Sequence, residues 1–483
     1  MHMRSILPVE TPSAWLVYAG LVLLSCHSSF AIEEGYARSA DAFIQDAFRS
    51  KKSCMVIGFI DADGAKVLSA GKLDNGTDAK PDGDSLFFIG SVSKTFTALL
   101  LQTMVDHGEV KLDDPVANYL PTFVKVPAHN GRPITLFDLA TQSSGLPADP
   151  GNMTGKDVRA QYESYSADQL YAYLTDLHLS RDPGSEFEYS NVGMSLLGHA
   201  LWRKAGTTYE SLIIDRICRP LHMGDTCIHP SPQQMSRLAM GHDESGNSSP
   251  PWNLNVYAPA GAIHSTANDL LKYAAAQAGL TTCEITASIE KTHVIRHIDT
   301  RGLPGLAGTG FGQTAMCWVD RGAFQPPGMQ LLGHAGGAGS YHAWVGFDMK
   351  QHRGVVVLTT DNDLTVESIG WTLLQHKPLN AQSAKEFEHE LVGIGAALDM
   401  NKQTHVLSMT KVFPNSPAAD AGLTAGMTIH KIDNNPLDTR SLAECLQLLR
   451  GEAGTKVRLE LHMADGSIKN VELIRKKFLV GQR

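Results

Sequence analysis

The stretch Phe87–Leu101 reads F-F-I-G-S-V-S-K-T-F-T-A-L-L-L and places a lysine inside an apolar run. Ser91 and Lys94 are three apart. In a helix, residues at i and i+3 are neighbours, so the two side chains share a face. A polar Gly90-Ser91 opens the run and Gly108 is placed to cap its end. Ser91 is therefore expected at a helix N-terminus, where unpaired N–H groups and the helix dipole favour developing negative charge. A serine nucleophile with a basic partner would use both features.

The S-x-x-K spacing alone decides little, because it also occurs at Ser69/Lys72, Ser288/Lys291 and Ser408/Lys411. Ser69/Lys72 falls at a strand end, where i and i+3 do not stack on one face. Ser288/Lys291 reads as a polar surface helix. Ser408/Lys411 falls in a strand of a later module. For Lys94 itself, the bland alternative is a side chain that snorkels to water.

The surrounding chain supplies architecture. A helix is expected near 36–50, with Ala37, Ala40, Phe43, Ile44 and Phe48 on one side. C-M-V-I-G-F-I-D, a D-A-D-G turn and A-K-V-L-S-A-G-K make a hairpin. A mostly helical middle follows from about 110 to 290. Strand patterns return at T-A-M-C-W-V-D, G-M-Q-L-L-G-H, Y-H-A-W-V-G-F-D and R-G-V-V-V-L-T-T-D, and a helix closes the unit. Strands from both ends with helices between them predict one sheet plus a helical lobe, an α+β fold. Residues 379–390 are polar and read as a linker. A β-rich module then fills 391–479; its helix carries Leu442, Cys445, Leu446 and Leu449 at i, i+3, i+4, i+7.

The 483 residues carry 43% apolar and 19% charged residues and a net charge of −9, with no long basic run. A globular chain of two or three domains is expected, and nucleic acid is not an expected partner. Arg4, the apolar core Ala14–Cys26 and the small-x-small pair Ser29 and Ala31 match a cleaved signal peptide over 1–31. The core is shorter than the roughly 20 residues that span a bilayer. Export to the periplasm or beyond is the expectation. L-L-S-C leaves a lipoprotein anchored at Cys26 as an alternative, and an uncleaved anchor as another; only these bring in a membrane. Of seven cysteines, Cys218 and Cys227 are close enough to pair, with buried free thiols the alternative. Neither C-x-x-C nor H-E-x-x-H occurs, so no metal motif is present.

Downstream lies E-Y-S-N, in which Tyr189 and Asn191 face the same way on an extended segment. A tyrosine beside a lysine can relay a proton, and an asparagine can hold a substrate amide through donor and acceptor. Further on stands G-H-A-G-G-A-G-S-Y, with His334-Ala335-Gly336 ahead of the last strand pair.

S-V-S-K, Y-S-N and H-A-G in this order resemble the serine β-lactamase and penicillin-binding-protein superfamily, most closely its class C β-lactamase and esterase branch. I-T-L-F-D-L-A-T-Q-S-S-G-L-P (134–147), R-P-L-H-M-G-D-T (219–226) and P-A-G-A-I-H-S-T-A-N-D-L (259–270) also look like landmarks of that family. The resemblance covers about 36–378 and implies a two-lobed fold, an antiparallel sheet flanked by helices plus a helical lobe. It implies Ser91 as nucleophile, Lys94 and Tyr189 as proton carriers, and the N–H groups of Ser91 and Gly337 as the oxyanion hole. Asn191, His334 and Gly336 would bind substrate, with no metal or organic cofactor. The lactamases carry lysine where His334 stands. A histidine of ordinary pKa, about 6.5, is mostly neutral at pH 7. An ester, amide or D-amino-acid peptide is then the expected substrate, with carboxylate binding weakening as His334 loses its proton.

The last module, around N-S-P-A-A-D-A-G-L-T-A-G-M-T-I-H-K-I-D-N, resembles a PDZ domain of the bacterial exported type. By that likeness Gly393, Ile394, Gly395 and Ala396 form a loop for a peptide or protein C-terminus that adds as a strand. A spacer that binds no peptide is the alternative. For the whole chain, a catalytically weak peptide- or peptidoglycan-binding scaffold is the competing class.

Overall fold

A computed structural model describes residues 35–243, 245–296, 313–320, 328–385, 387–400, 406–413, 415–437, 440, 445, 448–449, 452–462 and 467–482. The expected leader 1–31 with Cys26, and Leu442 and Leu446 of the expected last helix, lie outside the described residues.

The hairpin Cys54–Asp61 and Gly64–Gly71 joins strands that begin only at Gln313. The order is Gly64–Gly71, Cys54–Asp61, Arg353–Thr359, Tyr341–Asp348, Leu331–Ala338, Val319–Asp320, Gln313–Thr314, antiparallel throughout. Period-two alternation sends neighbouring residues to opposite faces. Val356 and Leu358 pack into the core shared with the helical lobe, while Val355 and Val357 pack under the terminal helices. Cys54 and Val56 face the lobe; Met55 and Ile57 face the other way. The outer layer is the helix over 35–47 and the helix Val366–Leu374, as expected from their apolar stripes.

The sequence between the two strand groups forms the second lobe around the buried helix Ser93–Asp106 and the helix Asn191–Ala205. Ser190 caps the latter through Gly193 N–H, and Gly206 in the left-handed region ends it.

Several expectations are corrected. Residues 379–390 are not a free linker. Leu379 and Ala384 are buried in the core between the sheet and the terminal helices, and Leu379 N–H donates to Ser39 Oγ. From Phe387 the chain is strand, Phe387–Gly393 pairing with Lys476–Gln482. Polar residues close this segment, but backbone pairing rather than apolar period places it. Ser288 is buried and not on the surface: Ser288 Oγ and Lys291 Nζ both donate to Asp106. Of the two readings left open for Cys218 and Cys227, the structure has buried free thiols: Cys218 ends a π turn, and Cys227 bridges to His264. The C-terminal module builds on strands Ala396–Met400, Leu407–Val412, Thr428–Ile432, Lys456–His462 and Ile468–Ile474, with Cys445 and Leu449 in its core.

Candidate active site

Two local devices place Ser91. The short strand Leu86–Phe88 pairs with His264–Thr266, and Ile89 N–H donates to Ile263 C=O. The chain then turns at Gly90, at φ +51°, into the tight turn Gly90–Val92 and the helix. A Cβ on Gly90 would stand 2.6 Å from Gly337 N, so the turn lies hard against the strand Leu331–Ala338. Gly336 completes the fit: its missing Cβ would stand 2.1 Å from Ile89 O and 2.8 Å from Ser91 N.

Lys94 does not snorkel; it is fully buried. Its Nζ lies 2.8 Å from Ser91 Oγ and donates to Ala260 C=O at 2.7 Å. Ala260 belongs to the P-A-G-A landmark, which Ser93 and Thr97 also grip, through Ile263 N–H and Pro259 C=O. Burial pulls the ammonium down to about 7, despite the opposing charge of Asp149. Tyr189 OH stands 2.7 Å from Ser91 Oγ on its other side, and its ring lies 4.8 Å from Lys94 Nζ. Burial pushes the Tyr189 phenol up, so it holds its proton.

The turn 141–149 seats Y-S-N. Gln142 Oε1 accepts from Ser190 N–H and Gln142 C=O from Glu188 N–H, both at 2.7 Å. Asn191 N–H donates to Ala148 C=O at 2.9 Å. Asn191 Nδ2 approaches Asp149 Oδ1 at 3.3 Å and Tyr162 OH at 3.4 Å. Asn191 is not on an extended segment; it is the first residue of its helix.

His334 and Gly336 project from the same face of their strand toward this centre, with His334 Nδ1 bonded to its neighbour's Ala335 C=O. His334 is 8% exposed. Burial, reinforced by the charge of Lys94, drives it down to about 3. The ordinary titration near 6.5 is thereby corrected: His334 is neutral across the working range and provides no switchable charge.

Ser91 and Gly337 line two cavities. The larger, about 530 Å³, has apolar walls including Phe187, Trp318 and Trp371. The smaller, about 380 Å³, is walled by Tyr162, Asn191, Trp252 and Tyr257. Sequence reasoning singled out seven residues that the fold brings together: Ser91, Lys94, Tyr189, Asn191, His334, Gly336 and Gly337. It assigned no role to Gln142, Asp149, Tyr162 or Ala260. The Q-S-S-G-L-P and P-A-G-A stretches were the only signal for the turns that carry three of them.

In the C-terminal module, Gly393 ends one strand and Ala396 begins the next. The carbonyls of Ile394 and Gly395 accept from Ala418 and Phe413 N–H. Ala396–Met400 is an edge strand, paired among the described residues with Leu407–Val412.

A two-lobed α+β fold with a Ser–Lys–Tyr cluster between its lobes defines the β-lactamase-like class. The chain belongs to the Beta-lactamase family, whose model matches residues 45–376; a PDZ domain model matches 409–462. Members of that family are serine hydrolases. The chain is 36% identical over 220 residues to the D-alanyl-D-alanine-carboxypeptidase/endopeptidase AmpH of Escherichia coli K12, covering 45% of this chain and 56% of the relative. It is 30% identical over 224 residues to penicillin-binding protein 4 of Amycolatopsis lactamdurans, covering 45% of this chain and 56% of the relative. The chain thus spans about half the length of these curated relatives. Among solved structures, a beta-lactamase/D-alanine carboxypeptidase of Yersinia pestis complexed with citrate aligns at TM-score 0.59 and 26% identity, over 70% of this chain and 97% of that one. A class C beta-lactamase of Rhodobacter sphaeroides shares the fold at TM-score 0.58 and 22% identity, over 70% and 98%.

Proposed function

We propose that this protein is an exported serine hydrolase that works through an acyl-enzyme on an ester, amide or D-amino-acid peptide. The carrying observation is that Ser91 Oγ lies within hydrogen-bond distance of both a buried lysine and a proton-holding tyrosine. Uncharged Lys94 takes the Ser91 proton as Oγ attacks the carbonyl. The N–H groups of Ser91 and Gly337 hold the oxyanion. Collapse expels the leaving group, which takes a proton through Tyr189. Water then cleaves the ester on Ser91 and regenerates the hydroxyl. The neutral His334 disfavours a permanent carboxylate contact, and the likeness to a D-alanyl-D-alanine-carboxypeptidase/endopeptidase supports a D-amino-acid peptide.

The C-terminal module is proposed to bind a peptide or protein C-terminus along the edge strand Ala396–Met400, with 393–396 as the carboxylate loop. Signal-peptide cleavage over 1–31 is the proposed route of export.

Hydrolysis by the mature protein of a short-chain activated ester, a chromogenic cephalosporin and a D-Ala-D-Ala peptide tests the reading, each beside Ser91→Ala. Turnover that disappears in a folded Ser91→Ala supports it. Retained turnover in that variant, or no turnover and no acyl adduct in the native protein, overturns it.

A further inference from the structure

Trp344 stands in the wall of the larger cavity with its N–H unpaired. The indole is fully buried and clamped: a Cβ on Gly333, Gly346 or Gly370 would stand 2.7, 2.1 or 2.1 Å from its ring. Trp371 meets it edge-on at 5.0 Å. Trp371 Nε1 donates to Glu367 Oε1 at 3.2 Å, whereas Trp344 Nε1 has no acceptor among the described residues. Thr314, 2% exposed, lines the same cavity, and its Oγ1 has no partner among them either. The ladder puts both side chains on one sheet face: Thr314 pairs with Val319, Val319 with Gly333, and Ala335, two residues on, with Trp344. A buried donor left unpaired is costly, and an indole N–H can only donate, so its complement is an acceptor. The rest of this shelf is apolar, with Val319, Ala335, Leu364, Val366 and Trp371. Glu367 borders it, and no lysine or arginine is among its described lining residues. Of its two histidines, His334 is neutral and His342 is bonded through Nε2 to Asn362 Oδ1 at 3.0 Å. Tyr189, the proposed proton donor to the leaving group, lines this cavity, while Asn191 lines the other.

We infer that the larger cavity binds the leaving half of the substrate and selects an uncharged alcohol or amine with an apolar body and a hydrogen-bond acceptor, which meets Trp344 N–H and the Thr314 hydroxyl. This rests on the serine-hydrolase reading above and deepens it by naming the leaving group. When the acyl C–O or C–N bond breaks, the leaving oxygen or nitrogen takes its proton through Tyr189, and the freed alcohol or amine keeps its acceptor on Trp344 until release. A leaving amino acid with a free carboxylate meets Glu367 and no fixed cation, and is disfavoured.

The test uses three acetate esters, of para-acetylbenzyl, para-isopropenylbenzyl and para-carboxybenzyl alcohol. The first two match in shape and differ in an acceptor C=O against C=CH2; the third carries a carboxylate. Each rate is divided by its hydroxide-catalysed rate. The full-length native protein is expected to favour the ketone over the alkene in kcat/KM by roughly tenfold, the value of one neutral hydrogen bond to a donor otherwise left unpaired, and to turn over the carboxylate least. Trp344→Phe keeps an aromatic ring and loses the N–H. It is expected to bring the ketone-to-alkene ratio to near parity, with the loss in KM more than in kcat; Thr314→Val is expected to reduce the ratio in part. A tryptophan that only fills the core would lower both substrates alike and leave the ratio unchanged. A native ratio of one, an unchanged ratio in both variants, or a carboxylate ester preferred over the ketone overturns the inference. If Trp344→Phe does not fold, Thr314→Val decides. Failure of the underlying reading is separate and visible: none of the three esters is turned over, or Ser91→Ala turns them over, and the inference falls with it.

Discussion

Lys94 Nζ stands 2.8 Å from Ser91 Oγ in a side chain with no solvent exposure, and among the described residues one protein carbonyl, Ala260, shares its bonding. The ammonium is costly there and the free amine is not. With Lys94 pulled down to about 7 and Tyr189 held above its ordinary range, the proposed mechanism takes the lysine as base and the tyrosine as proton donor at neutral pH. The rate should follow the unprotonated lysine. kcat/KM is expected to rise with pH along a limb centred near pH 7, measured on a neutral ester whose own charge does not change. A flat profile from pH 5.5 to 8.5 would contradict this role.

The same depression has a consequence for stability. Lys94 binds its proton more weakly folded than unfolded, so the unfolded chain carries more protons between about pH 7 and the ordinary lysine range. Stability contributed at this position therefore rises with pH across that window and is lowest below it. Lys94→Met lacks the dependence. In thermal melts, the native protein is expected to gain on the Lys94→Met variant by several degrees between pH 6.5 and 9, while the variant is inactive at both.

His334 should not set the acid limb, because it is neutral down to about 3. His334→Gln is expected to leave the midpoint near pH 7. His334→Lys adds a second buried cation near Lys94 and should lower that midpoint. The same variant should improve KM for a substrate bearing a carboxylate. pH–rate profiles of the three proteins check both statements.

Gly336 and Gly337 are neighbours with opposite tolerance. A Cβ on Gly336 would overlap Ile89 O and crowd Ser91 N, both backbone atoms of the nucleophile's turn. A Cβ on Gly337 would meet His342 Nδ1 at 3.3 Å, the tip of a side chain that can move. Gly336→Ala should lower kcat/KM by about a hundredfold or more, since displacing a reacting group by about 1 Å costs that much. Gly337→Ala keeps its N–H and should stay within about tenfold of native, less than the loss of one oxyanion donor. Ester hydrolysis with both purified variants decides between them.

The sheet, the two lobes and the C-terminal module follow from periodicity and from motifs in order along the chain. The unbroken apolar run Val355-Val356-Val357-Leu358 needs two buried faces, and helices on both sides supply them. Ser91 and Lys94 were legible because helical spacing forces them together. Less was legible where backbone pairing overrides composition, as in the polar run that becomes strand at Phe387.

What the sequence determined by itself is the inventory and the local geometry: a serine and a lysine one helical turn apart, a tyrosine and an asparagine two residues apart, and a histidine just ahead of the last strand pair. Those relations depend on rise and twist, which any chain of that pattern adopts. What only the tertiary structure decided is chemical state. Burial, a property of the packed whole, pulls the Lys94 ammonium down and holds His334 neutral. The Asp149 carboxylate, 42 residues from Asn191, accepts from that amide's nitrogen. No spacing rule encodes that pairing, because it is made between a loop and a helix end that meet only when the lobe has closed around them.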